Sequence, residues 1–326
     1  MGSAFRMAAA ALAVSASLAA NAIAAEWTVV NITPEGLGRA LAINASGTVV
    51  GCRMVDGSRS VAWVYANGAR AELPAPAGAN SCAFAINDNG TIAGTIDNEI
   101  TTWQDGTAHG LGLEGEVAGI GESGAVVGSA NGRAIMVSNG IVTDLGPGRA
   151  FAINRRNQVA IIAQGKLFMY ENGTLHDLGA TVTNAWGLND RAEIVGMTSF
   201  GHGPEAFMFD ATVHQIPGSS VEGGAVAINN VGAVLVSGEG TYGALVEAGQ
   251  QVTLGAIAAT SGGQWGHMEG KAVNDRGWIV GQESSGQVRA FLMMPKEAST
   301  SPPALNTNPA ARPSARTRPL VEARTP

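Results

Sequence analysis

The stretch Ala85-Ile86-Asn87-Asp88-Asn89-Gly90-Thr91-Ile92-Ala93-Gly94 is a short apolar strand, a tight turn and a second short apolar strand. The pattern returns as Ala42-Ile43-Asn44 with Gly47-Thr48-Val49-Val50-Gly51, and again at Ala152-Ile153-Asn154. Gly187-Leu188-Asn189 to Gly196, Ala227-Ile228-Asn229 to Gly232 and Ala272-Val273-Asn274 to Gly281 repeat it further on. A weaker copy, Gly119-Ile120-Gly121 to Gly128, fills the widest gap. The anchors at 44, 87, 121, 154, 189, 229 and 274 stand roughly 33–45 residues apart, the period of a repeat architecture.

Asn at the first turn position and Gly at the fourth suit a type I turn. The Asn side chain caps its own backbone, and Gly supplies the left-handed residue that follows. Such a turn joins the two strands of a hairpin through a bulge. A third strand follows each hairpin, as in Val61–Tyr65, Arg133–Val137, Lys166–Tyr170, Glu205–Phe209 and Arg289–Met293. Asn67-Gly68, Asp105-Gly106, Asn139-Gly140 and Asn172-Gly173 then turn into a fourth, such as Thr143–Gly146 or Val252–Gly255. Four short antiparallel strands in one period make a propeller blade. The seventh unit stops at Pro295 after its third strand, while Trp27–Ile32 is a spare strand at the other end. Pairing the two removes both open edges. The expected fold is therefore all-β: a seven-bladed β-propeller of four-stranded antiparallel blades over residues 26–295, closed by the N-terminal strand.

The order Ala-x-x-Ile-Asn-x-x-Gly-x-Ile-Val-Gly, then Ala-Phe, then Asn-Gly, then Asp-Leu-Gly resembles the HAF family of extracellular bacterial repeats, over about Trp27 to Pro295. The family's His-Ala-Phe is Glu205-Ala206-Phe207 or Arg289-Ala290-Phe291 here, without the His. The resemblance implies an exported protein and transfers no catalytic residue.

Composition agrees with this fold. The 326 residues include 45 Gly and only 14% charged side chains, with a net charge of -7, so the basic footprint of a nucleic-acid binder is missing. Residues 1–25 have the form of a signal peptide: Arg6, an apolar Ala-rich run from Met7 to Ala20, and a small-x-small site at Ala22-Ile23-Ala24. After its removal no stretch is long and apolar enough to span a bilayer. Residues 296–326 are rich in Pro and carry Lys296, Arg312, Arg316, Arg318 and Arg324, which predicts a disordered, mildly basic tail. A secreted or periplasmic monomer is expected. Its only cysteines, Cys52 and Cys82, fall at facing ends of neighbouring blades and are expected to form a disulfide.

Chemistry is harder to find. No Gly-x-Ser-x-Gly elbow, P-loop or His-Glu-x-x-His occurs. His109, His176 and His214 fall at equivalent outer-strand positions on separate blades, which suits exposed strand residues better than a metal centre. Asp88, Asp190 and Asp275 are explained as turn residues. No metal or other cofactor is expected. Two function classes stand: a binding or interaction module of the cell envelope or exterior, engaging a glycan or envelope protein, and a secreted hydrolase or lyase acting on carbohydrate. A mouth of His, carboxylate and Arg would favour the enzyme, an aromatic mouth the binder.

Strands one and three run in the same direction, so the uniform Asn turns lie on one face and the variable loops on the other. The longest loops are Met197–Pro204, Ser237–Gly243 and Ala256–Glu269. They carry Phe200, His202, Tyr242, Trp265 and His267, which are expected to form one binding sector, with Trp265 as its anchor. The alternative is that Trp265 and Phe200 plug the channel or pack beneath the loops.

Overall fold

The computed structural model describes residues 26–201, 203–216, 223–238 and 241–296, the side chains of 238, 241 and 242 excepted. The leader at 1–25 and the tail from 297 onward lie outside the described residues. Seven four-stranded antiparallel sheets stand in a ring, a seven-bladed β-propeller. The innermost strands are Gly38–Ile43, Ser81–Ile86, Glu116–Ile120, Arg149–Ile153, Asn184–Leu188, Gly224–Ile228 and Met268–Val273, in blades 1 to 7. Met268–Val273 packs back on Gly38–Ile43 and closes the ring. Trp27–Asn31 is the outermost strand of blade 7, antiparallel to Arg289–Pro295, with Trp27 opposite Pro295 and Asn31 opposite Phe291. This is the closure expected from the spare N-terminal strand.

The core is divided. Each gap between neighbouring blades holds its own cluster: Trp63, Val280 and Leu292 between blades 7 and 1, for example, and Leu167, Ile194 and Phe207 between blades 4 and 5. Trp63, Phe207 and Phe291 are each 1% exposed or less, and full burial of a ring that size contributes about 1.5–3 kcal/mol. Among the described residues no helix is long and apolar enough to cross a membrane.

Every innermost strand carries one bulge, always three residues before the turn Asn or its equivalent. The register slips between Ala40 and Ala42, between Ala83 and Ala85, between Val117 and Gly119, and so on to Gly270 and Ala272. The bulge drives a strand-one carbonyl onto strand two, and glycine meets it. A Cβ on Gly51 would lie 1.9 Å from the Arg39 carbonyl oxygen, and one on Gly94 2.0 Å from that of Cys82. In five blades the last Gly of the repeat gives this carbonyl room, while blades 4 and 6 hold Ile161 and Val236 at the same position.

Cys52 and Cys82 form the expected disulfide, with Cα atoms 4.9 Å apart, linking blades 1 and 2. The long loops need correction. Strands Ile194–Ser199 and Pro204–Phe209 absorb most of Met197–Pro204, and Val234–Gly238 and Thr241–Glu247 leave only 239–240 between them. The fourth strand of blade 6 ends at Thr253, and Leu254–Ala259 is a helix capped by the Thr253 side chain. Its apolar residues at 254, 257 and 258 follow helical spacing and are buried, a period masked in the sequence by the preceding alternation.

Candidate functional site

The channel at the propeller axis is built from four stacked rings, each contributed by one position of the repeat. The first is the turn Asn, buried in all six blades that have it. Its Oδ1 accepts the N–H four residues on, as in Asn87 with Thr91 at 2.9 Å and Asn229 with Ala233 at 2.8 Å, which caps the turn. Its Nδ2 donates to the backbone carbonyl at the same position of the next blade. Asn44 reaches Asn87, Asn87 reaches Gly121, Asn154 reaches Asn189, Asn189 reaches Asn229, Asn229 reaches Asn274, and Asn274 returns to Asn44, at 2.9–3.2 Å. The belt is open at one place, where Gly121 has no side chain to reach Asn154.

One residue further on is a charged ring at the turn-face mouth, formed by Asp88, Glu122, Arg155, Asp190, Asn230 and Asp275. Its carboxylates also tie blades together: Asp88 accepts the Ala45 N–H at 2.8 Å, Asp190 that of Arg155 at 2.9 Å and Asp275 that of Asn230 at 2.8 Å. The aspartates therefore serve the neighbouring blade, where the sequence suggested their own turns. The Arg155 guanidinium lies among three of them, with Nη2 2.7 Å from Asp88 and Nη1 3.8 and 3.7 Å from Asp190 and Asp275. Partial burial opposes its charge, but the three carboxylates outweigh that and raise its pKa above the ordinary value. The cavity here is about 230 Å³, and Ile43, Ile86, Leu188 and their equivalents line its floor.

At the opposite, loop-bearing mouth the channel widens into a second cavity of about 470 Å³. All seven bulged residues line it: Leu41, Phe84, Ala118, Phe151, Trp186, Val226 and Lys271. A bulge re-aims the extra side chain, and seven equivalent bulges aim seven side chains at one axis. Phe84 is 37% exposed, while Trp186 is partly buried, its ring against Gly224, where a Cβ would fall 2.4 Å from Cζ3. Arg149 and Glu116 line the same cavity. The signal for this ring was present in the sequence. The inner strand reads small-x-small before the turn, as Ala40-Leu41-Ala42 and Ala185-Trp186-Gly187, and x is the bulged residue.

The sector expected from the sequence lies on this same face. Phe200 is exposed at the tip of the blade 5 hairpin. Trp265 is partly buried, edge-on to Phe291 with centroids 6.5 Å apart, and the Arg289 guanidinium stands 5.1 Å from its ring centre. Arg289 is held by fully buried Glu283, which also accepts the N–H groups of Gly266 and Ser285. Burial pushes the Glu283 carboxyl up, but the hydrogen bonds from Ser285 and Arg289 more than offset it and lower its pKa. Trp265 is thus packed into the loop's own anchor. His267 Nε2 lies 3.8 Å from Glu269, which pairs with Lys271 Nζ at 3.1 Å, so the sector runs into the ring. His202 and the side chain of Tyr242 lie outside the described residues. His109 and His176 are exposed on outer strands, as expected, and His214 is half-buried on its outer strand, with Nδ1 3.5 Å from Asp210.

The fold and channel define a seven-bladed propeller with two chemically different mouths. Virginiamycin B lyase of Staphylococcus aureus is similar in fold, with a TM-score of 0.60 at 10% identity over 82% of this chain and 99% of that one. The β-propeller domain of the Trilobed protease from Pyrococcus furiosus, described as having an open velcro topology, superposes with a TM-score of 0.53 at 13% identity, over 79% of this chain and 93% of that one. YCF48 bound to D1 peptide gives 0.53 at 12% identity, over 83% and 97%. At such identities the likeness is one of fold. No family model and no curated protein matches the chain.

Proposed function

We propose that the protein is a binding or interaction module of the cell envelope or extracellular space, engaging its ligand at the loop-bearing mouth. The observation that carries this reading is the ring of bulged residues. A distortion repeated in all seven blades sends variable, largely apolar side chains into one cavity, on a scaffold tied together elsewhere. Phe200 at the rim, with Trp265 and with His267 linked to Lys271 through Glu269, extends the surface proposed for a glycan or an envelope protein, and the sequence adds His202 and Tyr242 to the proposed set. The Cys52–Cys82 disulfide supports an oxidising compartment, the periplasm or the exterior, as does the signal-like leader. The HAF resemblance agrees with export.

The secreted-enzyme reading draws on the other mouth, where four carboxylates line one cavity with Arg155. All four carboxylates accept backbone N–H groups of adjacent blades, a structural duty that weighs toward the binding reading. The experiment is sedimentation of the purified protein with isolated envelope fractions, beside a glycan array. Saturable binding that Phe84→Asp and Phe200→Ala weaken, with melting temperature unchanged, is the expected result. Release of reducing ends or unsaturated products from a polysaccharide would instead establish the enzyme.

A further inference from the structure

We propose that the loop-face cavity takes a small aromatic carboxylate, a flat apolar ring bearing one anionic group; this rests on the reading of that mouth as the binding site. The ring of bulged residues supplies the apolar part. Phe84, Phe151, Trp186, Leu41 and Val226 all line the cavity. Trp186 is positioned before any ligand arrives, because its ring rests on Gly224. Among the described residues no acceptor is bonded to its indole N–H, a donor left for a ligand.

The anionic part follows from charge. The ionisable groups lining the cavity are Arg149, Lys271 and Glu116, a net positive set in a chain of net charge -7. Lys271 shares its charge with Glu269. Arg149 has no carboxylate within ion-pair range among the described residues. Its Nη2 donates to Asn184 Oδ1 at 2.7 Å, and that oxygen also accepts the Ala185 N–H at 3.0 Å, so a neutral amide fixes the guanidinium without neutralising it. A partly buried guanidinium held by a neutral partner is a carboxylate receptor, since its fork matches two oxygens. Arg149 lies two residues before bulged Phe151 on the same strand, which brings the anion site to the edge of the apolar ring. The cavity volume of about 470 Å³ lies within the usual range for small-ligand sites. A sugar acid satisfies the guanidinium but leaves the aliphatic and aromatic wall against hydroxyl groups, which costs desolvation.

The test uses calorimetry with three probes on the intact protein: naphthalene-2-carboxylate, 2-naphthylmethanol and D-glucuronate. Naphthalene-2-carboxylate is expected to bind at one site per chain, with the alcohol and the sugar acid each weaker by on the order of tenfold or more. Arg149→Gln should weaken the carboxylate by a similar factor and leave the alcohol unchanged. Arg133→Gln, which removes an exposed guanidinium bonded to Asp144, should change neither. Trp186→Ala should weaken both aromatic probes; if it fails to fold, Trp186→Phe should retain them. Equal binding of alcohol and carboxylate, or preference for glucuronate, overturns the proposal. So does absence of binding by all three, and sedimentation with envelope fractions would then still decide the broader reading by itself.

Discussion

Replacing Gly121 by Asn should close the one gap in the hydrogen-bonded belt. Gly121 has a backbone conformation open to any residue, and its own carbonyl already accepts from Asn87 Nδ2 at 3.0 Å. Downstream, the Asn154 carbonyl accepts the Asn157 N–H, whereas its counterparts accept both a turn N–H and an Asn amide from the preceding blade. An Asn at 121 would supply that amide, and its Oδ1 would cap the Ala125 N–H as Asn87 caps Thr91. Two such bonds contribute about 1 kcal/mol each, and losing the flexibility of Gly in the unfolded chain adds about 0.4–1 kcal/mol. Against this, the new Cβ would lie 3.0 Å from Ile153 Cδ1 and 3.1 Å from Asn157 Oδ1, both ends of side chains able to yield by tenths of an ångström. Ordering the Asn side chain costs part of the gain. The net expectation is about 1–2 kcal/mol of stabilisation, a rise in Tm of about 2–4 °C per kcal/mol. Urea denaturation and differential scanning calorimetry of G121N, G121A and G121D would measure it. Ala brings the Cβ without the amide, and Asp caps the turn without the donor, so Asn should exceed both. If Asn is no more stable than Ala, including in an Ile153→Val background that relieves the contact, the belt adds nothing net and the reasoning fails.

Reducing the Cys52–Cys82 bridge, or Cys52→Ala with Cys82→Ala, should cost about 3–4 kcal/mol on the chain-entropy account for a loop of this length, read as a lower urea midpoint with unchanged native circular dichroism. Arg155→Ala leaves Asp88, Asp190 and Asp275 facing one another. Its melting temperature should fall below the parent's most at low ionic strength and recover between about 0.01 and 1 M NaCl, as the screening length drops from ~30 to ~3 Å; a deficit indifferent to salt would mean lost packing rather than lost charge. Glu283 has a lowered pKa in the folded state, so its contribution is present above the unfolded carboxyl pKa and is lost as pH falls through the lowered folded one. Glu283→Gln should therefore be less stable than the parent near neutrality, and the difference should shrink on acidification.

The fold was legible because its signals are local and repeated. Asn and Gly at fixed offsets dictate a turn, Asn-Gly dictates the next one, and the unpaired strand at one end needs the strandless unit at the other. Blade 3 was the weak copy for a reason now visible: Gly121 lacks the amide that ties its blade to the next. The loops were harder. A hairpin that extends beyond its pattern, as at exposed Ser199 and Pro204, is carried by pairing across its two strands, and the short helix after Thr253 by burial of Leu254, Ile257 and Ala258, neither of which the local pattern encodes. Trp265 was identifiable as important, but its dependence on Phe291, Arg289 and Glu283 joins segments that only the folded blade brings together.

The candidate site was hidden by the same regularity that revealed the fold. Alternation treats an inner-strand residue as facing one side of the blade or the other, and a bulge breaks that rule at one place. The seven copies show what the break allows. The positions on either side are small, Val117 excepted, because blades crowd near the axis: a Cβ on Gly119 would lie 3.1 Å from Ile153 Cγ2, and one on Gly187 3.2 Å from the Ile228 nitrogen. The turn Asn is constrained by a neighbouring blade, and the residue opposite the bulge, Gly in five blades and Ile161 and Val236 in the other two, by a carbonyl. The bulged residue itself meets none of these demands, and it ranges over Leu, Phe, Ala, Trp, Val and Lys. Its direction is fixed by backbone geometry while its chemistry is free, so the ring can change its side chains without disturbing the ties between blades. Side-chain chemistry can vary there at little cost in stability, whereas at the Asn belt every change alters a buried hydrogen bond.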